Sequence, residues 1–226
     1  MNSDMNGSSN AARQSGASQS THPRRCGVSV ATPVTPAAAA ANDAAADALF
    51  ARLAEYATGE ANDQAFACMI ATLCVGGGAL PDWLGLEPAA FSCLMDHHFS
   101  GFRFVAPPCP GRPLDAARNE ERHELVELML MDKAGDSPSE VWMAHVVAAG
   151  CMGSDHLWQD LGLWRRADLT ALMRRNFPAL AARNVKDMKW KRFLYKQLCE
   201  AEGIYICRAP SCEVCTEYHA CFGPEH

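Results

Sequence analysis

Glu120-Glu-Arg-His-Glu-Leu-Val-Glu-Leu-Met-Leu-Met131 decides the class of this fold. Leu125, Leu128 and Met129 recur at spacings of three and four, with glutamates between them. A helix gathers such residues on one face, whereas a strand would scatter them over two. The same period continues in both directions. Upstream, Leu49, Phe50, Leu53 and Tyr56 make one stripe, closed by Gly59. Phe66, Met69, Ile70 and Leu73 make a second, with Asn62 as candidate N-cap and Gly76-Gly77-Gly78 as stop. Pro88 opens a third, carrying Phe91, Leu94, Met95 and Phe99. Downstream, Ser137-Pro138-Ser139-Glu140 starts a helix with proline in its first turn. Shorter helices follow over 155–161 and 168–177, then a long one from Ala181 to Glu200 that Gly203 ends. The four prolines between Phe104 and Pro113, around Gly111, mark a loop. Only Gly203-Ile-Tyr-Ile-Cys207 reads as an extended segment. The expected fold class is all-α, a helical bundle-like domain.

At 226 residues the chain has ample apolar mass for a core. Residues 1–42 are mostly Ser, Asn, Ala, Thr and Pro, and cannot bury enough surface to offset their ordering entropy. They read as a disordered N-terminal leader. A transit peptide is the other reading, against which stand the low arginine content and the lack of an amphipathic face. The expected division is a leader over 1–42, a helical domain over 43–200 and a cysteine-rich tail over 201–226. No stretch looks like a membrane span or a secretory signal. The expected compartment is the reducing cytoplasm, where eleven cysteines, an odd number, point to metal or reactivity before disulfides. A formal charge of −6 gives no global attraction to nucleic acid.

Cys207, Cys212, Cys215 and Cys221 are spaced C-x4-C-x2-C-x5-C. Four soft, anionic thiolates on one short loop can surround a single metal centre or cluster. C-x4-C-x2-C also wraps iron–sulfur clusters in plant-type ferredoxins. Structural zinc, which favours two separated pairs, and a disulfide framework are the alternatives. Pro210 bends the loop without competing for a hydrogen-bond donor. Arg208 either offsets thiolate charge or is a solvated arginine. His219 either stands beside the thiolates or at the surface, or ligates the metal itself. Glu213 and Glu217 add negative charge, and Phe222-Gly-Pro follows as a cap or a plain turn.

Other candidates have structural readings beside them. Asp96-His97-His98 ends a helix; adjacent side chains diverge by about 100°, which favours one histidine capping and one packing over a shared metal. His123, His145 and His156 are expected to be core or boundary residues, His156 alternatively facing an incoming oxyanion. Cys68, Cys74, Cys93 and Cys151 read as small core residues, and Cys199 as a packing residue or spare ligand. Cys26 and Cys109 fall in loops. Arg183, Lys186, Lys189, Lys191, Arg192 and Lys196 crowd the last helix against Asp187 and Glu200. They form a solvated face or, through Lys189, Lys191 and Arg192, an electropositive surface for an oxyanion or an acidic partner.

Three runs resemble the family of the nitrogen-fixation protein NifQ. They are His156-Leu-Trp-Gln-Asp-Leu-Gly-Leu163, Met188-Lys-Trp-Lys-Arg-Phe-Leu-Tyr-Lys-Gln-Leu-Cys-Glu200, and Gly203-Ile-Tyr-Ile-Cys-Arg-Ala-Pro-Ser-Cys-Glu-Val-Cys215 with Cys221-Phe-Gly. The resemblance covers roughly residues 45–226 and includes all four cysteines of the family signature. It implies a carrier, not an enzyme: an iron–sulfur cluster that incorporates molybdenum, bound through the four cysteines. It further implies molybdate as the metal source and the nitrogenase cofactor-assembly proteins, the NifEN scaffold and NifH, as partners. Spacing alone does not indicate molybdenum. A different class of function is an iron–sulfur DNA-binding regulator or redox-sensing cluster protein, since C-x2-C-x5-C also occurs in WhiB-like regulators. Against it, Cys207 lies only five residues before Cys212, and no Gly-rich tryptophan turn with a basic tail follows Cys221. An electron-transfer module or cluster-dependent enzyme is a third class, for which no nucleotide loop, Ser/His/Asp motif or second cluster motif is visible.

Overall fold

The computed structural model describes residues 36–104 and 113–201, with side chains from residue 39. Within them run α1 (Pro36–Ala54), α2 (Asp63–Cys74), α3 (Pro88–His98), α4 (Asn119–Leu130), α5 (Pro138–Cys151), α6 (Leu157–Asp160), α7 (Arg166–Asn176), α8 (Pro178–Arg183) and α9 (Trp190–Ala201). Short 3-10 turns occupy Asp82–Gly85 and Ala116–Arg118. The described residues hold no strand, so this part of the chain is all-α. No described helix is long and apolar enough to cross a membrane.

α2 and α5 are the inner helices. Phe66–Ala71 and Leu73 of α2 and Met143, Ala144 and Val146–Cys151 of α5 are buried, so each helix is covered nearly all round. The amphipathic helices wrap them. α1 packs on α2, and α4 packs on both α5 and α9. The stripe that gave the class is intact: Leu125, Leu128 and Met129 are all buried.

Three expectations are corrected. The first helix begins at Pro36, inside the expected leader, because alanine has the highest helix propensity and needs no apolar partner. Residues 39–45 are helical yet exposed, and burial starts at Ala46. Residues 1–35 and the loop residues 105–112 lie outside the described part. Secondly, the long helix from Ala181 to Glu200 is two helices. Proline starts α8 early at Pro178, and Asn184 stops it. The Asn184 side chain accepts the Met188 N–H at 2.8 Å and donates to the Met188 carbonyl at 2.9 Å. That local bonding competes with a continuing helix, and Asp187 takes a left-handed φ of 48°. Thirdly, Asn62 makes no side-chain cap on α2.

Asn62 instead joins a buried polar knot that ties four helix ends. Its amide nitrogen donates to Ser139 Oγ at 2.9 Å and to Asn176 Oδ1 at 2.7 Å. Asn176 Nδ2 returns a bond to Asn62 Oδ1 at 2.9 Å and reaches the Leu172 carbonyl. His98 Nδ1 lies 2.6 Å from Asp63 Oδ1, and His98 Nε2 lies 2.9 Å from Ser139 Oγ. Asp63 Oδ2 also accepts the Gly59 N–H at 2.8 Å. A neutral His98, with Nδ1–H donating to Asp63 and Nε2 accepting from the Ser139 hydroxyl, gives every one of these contacts a donor. Burial pushes the His98 pKa below its ordinary value, with the Asp63 carboxylate opposing the shift in part. His145 on α5 is held low by burial and by Arg122.

The sign of the pH effect follows. A histidine held neutral in the fold is protonated more readily when the chain unfolds. Stability is therefore full above the unfolded value of about 6.5 and falls as pH drops below it. The melting temperature is expected to decline from pH 7.5 to pH 5.5, while the His98 ring resonances stay in the neutral position. A His98 ring that titrates with an ordinary midpoint would contradict the assignment.

Candidate metal centre and its helical stem

The four cysteines Cys207, Cys212, Cys215 and Cys221 lie outside the described residues, as do Arg208, His219, Cys26 and Cys109. The described structure does contain the stem that leads to them. α9 ends at Ala201, six residues before Cys207. Chain length alone keeps the Cα of Cys207 within about 22 Å of the end of α9.

α9 is fixed along its whole buried face. Trp190, Phe193, Leu194, Tyr195 and Cys199 are buried, and Trp190 Nε1 donates to Thr170 Oγ1 at 3.2 Å. Two polar anchors one turn apart complete the seating. In the first, Tyr195 donates its hydroxyl hydrogen to Glu121 Oε1 and accepts from Arg118 at 3.0 Å. Arg118 also grips the Glu121 carboxylate at 2.8 and 2.7 Å and the Met152 carbonyl at 2.8 Å. Burial raises the Glu121 pKa, but the bonds from Arg118 and Tyr195 outweigh it and hold the carboxyl low. Burial likewise raises the Tyr195 phenol.

The second anchor is Lys191, which extends inward. Its ammonium donates to the Gly153 carbonyl at 2.9 Å and the Asp155 carbonyl at 2.7 Å, and pairs with Asp160. The Asp160 side chain is 2% exposed and that of Lys191 17%. Burial holds the Asp160 pKa above the usual carboxylate value, and Lys191 offsets part of that rise. Gly153 is needed here, because a Cβ would sit 2.4 Å from the Asp160 carboxylate.

Lys191 is thus committed to the interior and leaves the expected electropositive surface. Lys189 and Arg192 are half-buried. Lys196 pairs with Glu200 at 3.3 Å, and Arg183 with Asp132. The six cations do not share one face, because α8 and α9 are separate helices. His156 is exposed at the start of α6, where its N–H donates to Gln159 Oε1 at 3.3 Å, so it is no core residue. His97 packs edge-on against Trp142 at 5.6 Å and lies 3.9 Å from Glu60. Cys68 and Cys151 are core residues as expected, and burial pushes both thiols up to about 12. Such thiols are protonated and poor ligands. Cys74 is half-buried, and Cys93 is exposed, against the expectation of packing. Cys199 is buried beside a cleft of about 410 Å³ lined by Glu120, Glu121, Glu124, Tyr195 and Leu198.

Among the described residues no group of three or more His, Cys, Asp or Glu is placed to hold a metal ion. The donor set that fits an iron–sulfur cluster is the one in the tail: four thiolates, soft and anionic, within fifteen residues. Sequence reading missed the partnership of Lys191 with Asp160 and the chain of contacts Ser139–His98–Asp63. That chain has the order of a nucleophile, base and orienting acid, yet Ser139 is 4% exposed and its oxygen already takes a bond from Asn62. It serves as a structural clamp.

A family model described as NifQ matches residues 65–223. The chain is 46% identical over 160 residues to Protein NifQ of Azotobacter vinelandii, covering 66% of this chain and 82% of that protein. It is 36% identical over 160 residues to Protein NifQ of Klebsiella pneumoniae, covering 65% and 90%. With Protein NifQ of Rhodobacter capsulatus it shares 34% over 154 residues, covering 67% and 83%. No solved structure matches the chain.

Proposed function

Since the chain belongs to the NifQ family, we propose that it serves nitrogen fixation as a carrier of molybdenum for the iron–molybdenum cofactor of nitrogenase. The observation that carries this reading is the position of the thiolate set. Cys207, Cys212, Cys215 and Cys221 all fall inside the matched residues 65–223. They would hold an iron–sulfur cluster whose sulfides give molybdenum its first sulfur ligation, which molybdate lacks.

The chain's own residues contribute holding and presenting. The thiolates supply the anionic ligands. Tyr195 and Lys191 pin α9, the helix that precedes the cysteine tail, to α4 and to the turn before α6. No substrate turnover is needed, only loading and release. The source is molybdate, the receivers are the cofactor-assembly proteins NifEN and NifH, and the compartment is the cytoplasm.

The test is delivery. The molybdenum-loaded chain is expected to support cofactor assembly in a defined mixture lacking free molybdate. Excess molybdate should partly replace it, because a carrier raises local supply without making an obligatory bond. A loaded chain that donates nothing would sink the carrier reading.

A further inference from the structure

The charge of this chain is segregated. Residues 165–192 contain nine of the twenty lysines and arginines but only two of the twenty-six acidic residues. That is a local +7 in a chain of formal charge −6. Some of these cations are spent internally: Lys191 on Asp160, Arg183 on Asp132, and Arg175 on the Ala61 carbonyl. Arg165 pairs with Asp168 at 2.8 Å, and Arg166 and Arg174 line a trough of about 900 Å³ between α7, α8 and the segment that follows α8.

The trough has a definite make-up. Arg166, Thr170 and Arg174 follow one another at four-residue steps along α7, so the two arginines stand about 12 Å apart along its axis. Arg166 also pairs with Asp187 at 3.5 Å. Ala167, Ala171, Pro178, Ala181 and Ala182 give small apolar walls. Val185 stands on the rim, 84% exposed, and Lys186 beside it is exposed. The trough thus sets a small apolar surface beside cations. It fits a partner that presents carboxylates around an apolar patch.

We propose that this α7–α8 trough is the docking surface for an acidic protein partner, the one that receives the metal; the proposal rests on the carrier reading above. Nucleic acid fits less well. Its interfaces are more polar and more uniformly cationic than an alanine-walled trough with a valine rim. The trough belongs to the helices that seat the root of α9. A partner held there lies beside the stem that bears the cysteines.

Full-length chain, loaded with molybdenum, is tested for binding to the purified cofactor-assembly scaffold at low and high salt. Three variants are compared: Arg174→Glu with Lys186→Glu, Val185→Asp, and Lys196→Glu as a control outside the trough. The double charge reversal is expected to weaken binding at least tenfold at low salt, mainly through the association rate, with a smaller effect at high salt. Val185→Asp is expected to weaken it about tenfold at both salts. The control should change it less than twofold, and all three should keep wild-type metal content and melting temperature. Equal binding by all three overturns the proposal, as does a wild-type chain that does not bind. A 20-base-pair DNA duplex that binds more tightly than the scaffold, and is lost in the charge reversal, overturns it in favour of nucleic acid. If the variants alter only hydrogen exchange in residues 202–226, the occupant is the chain's own tail and the proposal fails. Molybdenum delivery, measured on the same samples, separates the two readings. Normal delivery by the trough variants sinks docking alone; tight docking without delivery by the wild type sinks the carrier.

Discussion

Alanine at any one of Cys207, Cys212, Cys215 or Cys221 is expected to strip the iron–sulfur cluster, and with it the molybdenum, from the purified chain. Ligand count decides this. Four thiolates on fifteen residues make one complete set, and the described domain offers no grouped replacement. Cys68 and Cys151 cannot step in, since burial keeps both thiols protonated. The fold should survive. Among the described residues the core is built from α1 to α9 and reaches Cys199, before the first of these cysteines. Helical circular dichroism should be unchanged and the melting temperature should move by no more than about 2–4 °C, the equivalent of 1 kcal/mol in a domain of this size. Anaerobic purification with analysis for iron, sulfide, molybdenum and zinc reads the result. A variant that keeps full iron and colour removes that cysteine from the set and makes Cys199 the next candidate. A colourless wild-type chain with one zinc would replace the cluster with a structural zinc site.

The helices were legible because their signal is local. Leu125, Leu128 and Met129 name their own buried face at spacings of three and four, and Phe66, Met69 and Ile70 do the same. Partnership is not local. Asn62 meets Ser139 and Asn176 across 77 and 114 positions, so a polar residue before a helix reads as a cap when it is really part of a buried clamp. The break between α8 and α9 depends on Asn184 bonding Met188, which no apolar period reports. For the site, cysteine spacing points to a ligand set, because four soft ligands on one loop have few other uses, but those cysteines lie outside the described residues. It did not identify the metal, which spacing does not encode. The cationic surface was legible as a density of lysines and arginines, but its centre was misplaced. Lys191 turns inward, while Arg165, Arg174 and Arg175 on or beside α7 and Lys186 after α8 stay exposed.

Lys191→Met is the variant that distinguishes these roles most sharply. It removes a cation while keeping an unbranched, similarly long side chain. Asp160, with its side chain 2% exposed, then loses the ammonium that compensates it. Breaking a buried pair from one side typically costs about 3–5 kcal/mol, which corresponds to a fall in melting temperature of about 10 °C or more. The loss should depend on pH, with a definite sign. Without Lys191, burial acts on Asp160 with less opposition, so its folded-state pKa rises further above the unfolded value. A carboxyl of that kind is stable in the fold when protonated, and the stability is lost as pH rises through the folded value. The deficit of Lys191→Met relative to wild type should therefore be smaller at pH 5 than at pH 8. Asp160→Asn combined with Lys191→Met should recover much of the loss, since the amide oxygen can still accept the Asp155 N–H that Asp160 takes at 3.1 Å. Calorimetry across this pH range decides the matter. If Lys191→Met melts with the wild type at every pH yet transfers metal poorly, Lys191 acts at the surface on a partner, and the buried ion pair is not what seats the stem of the cysteine tail.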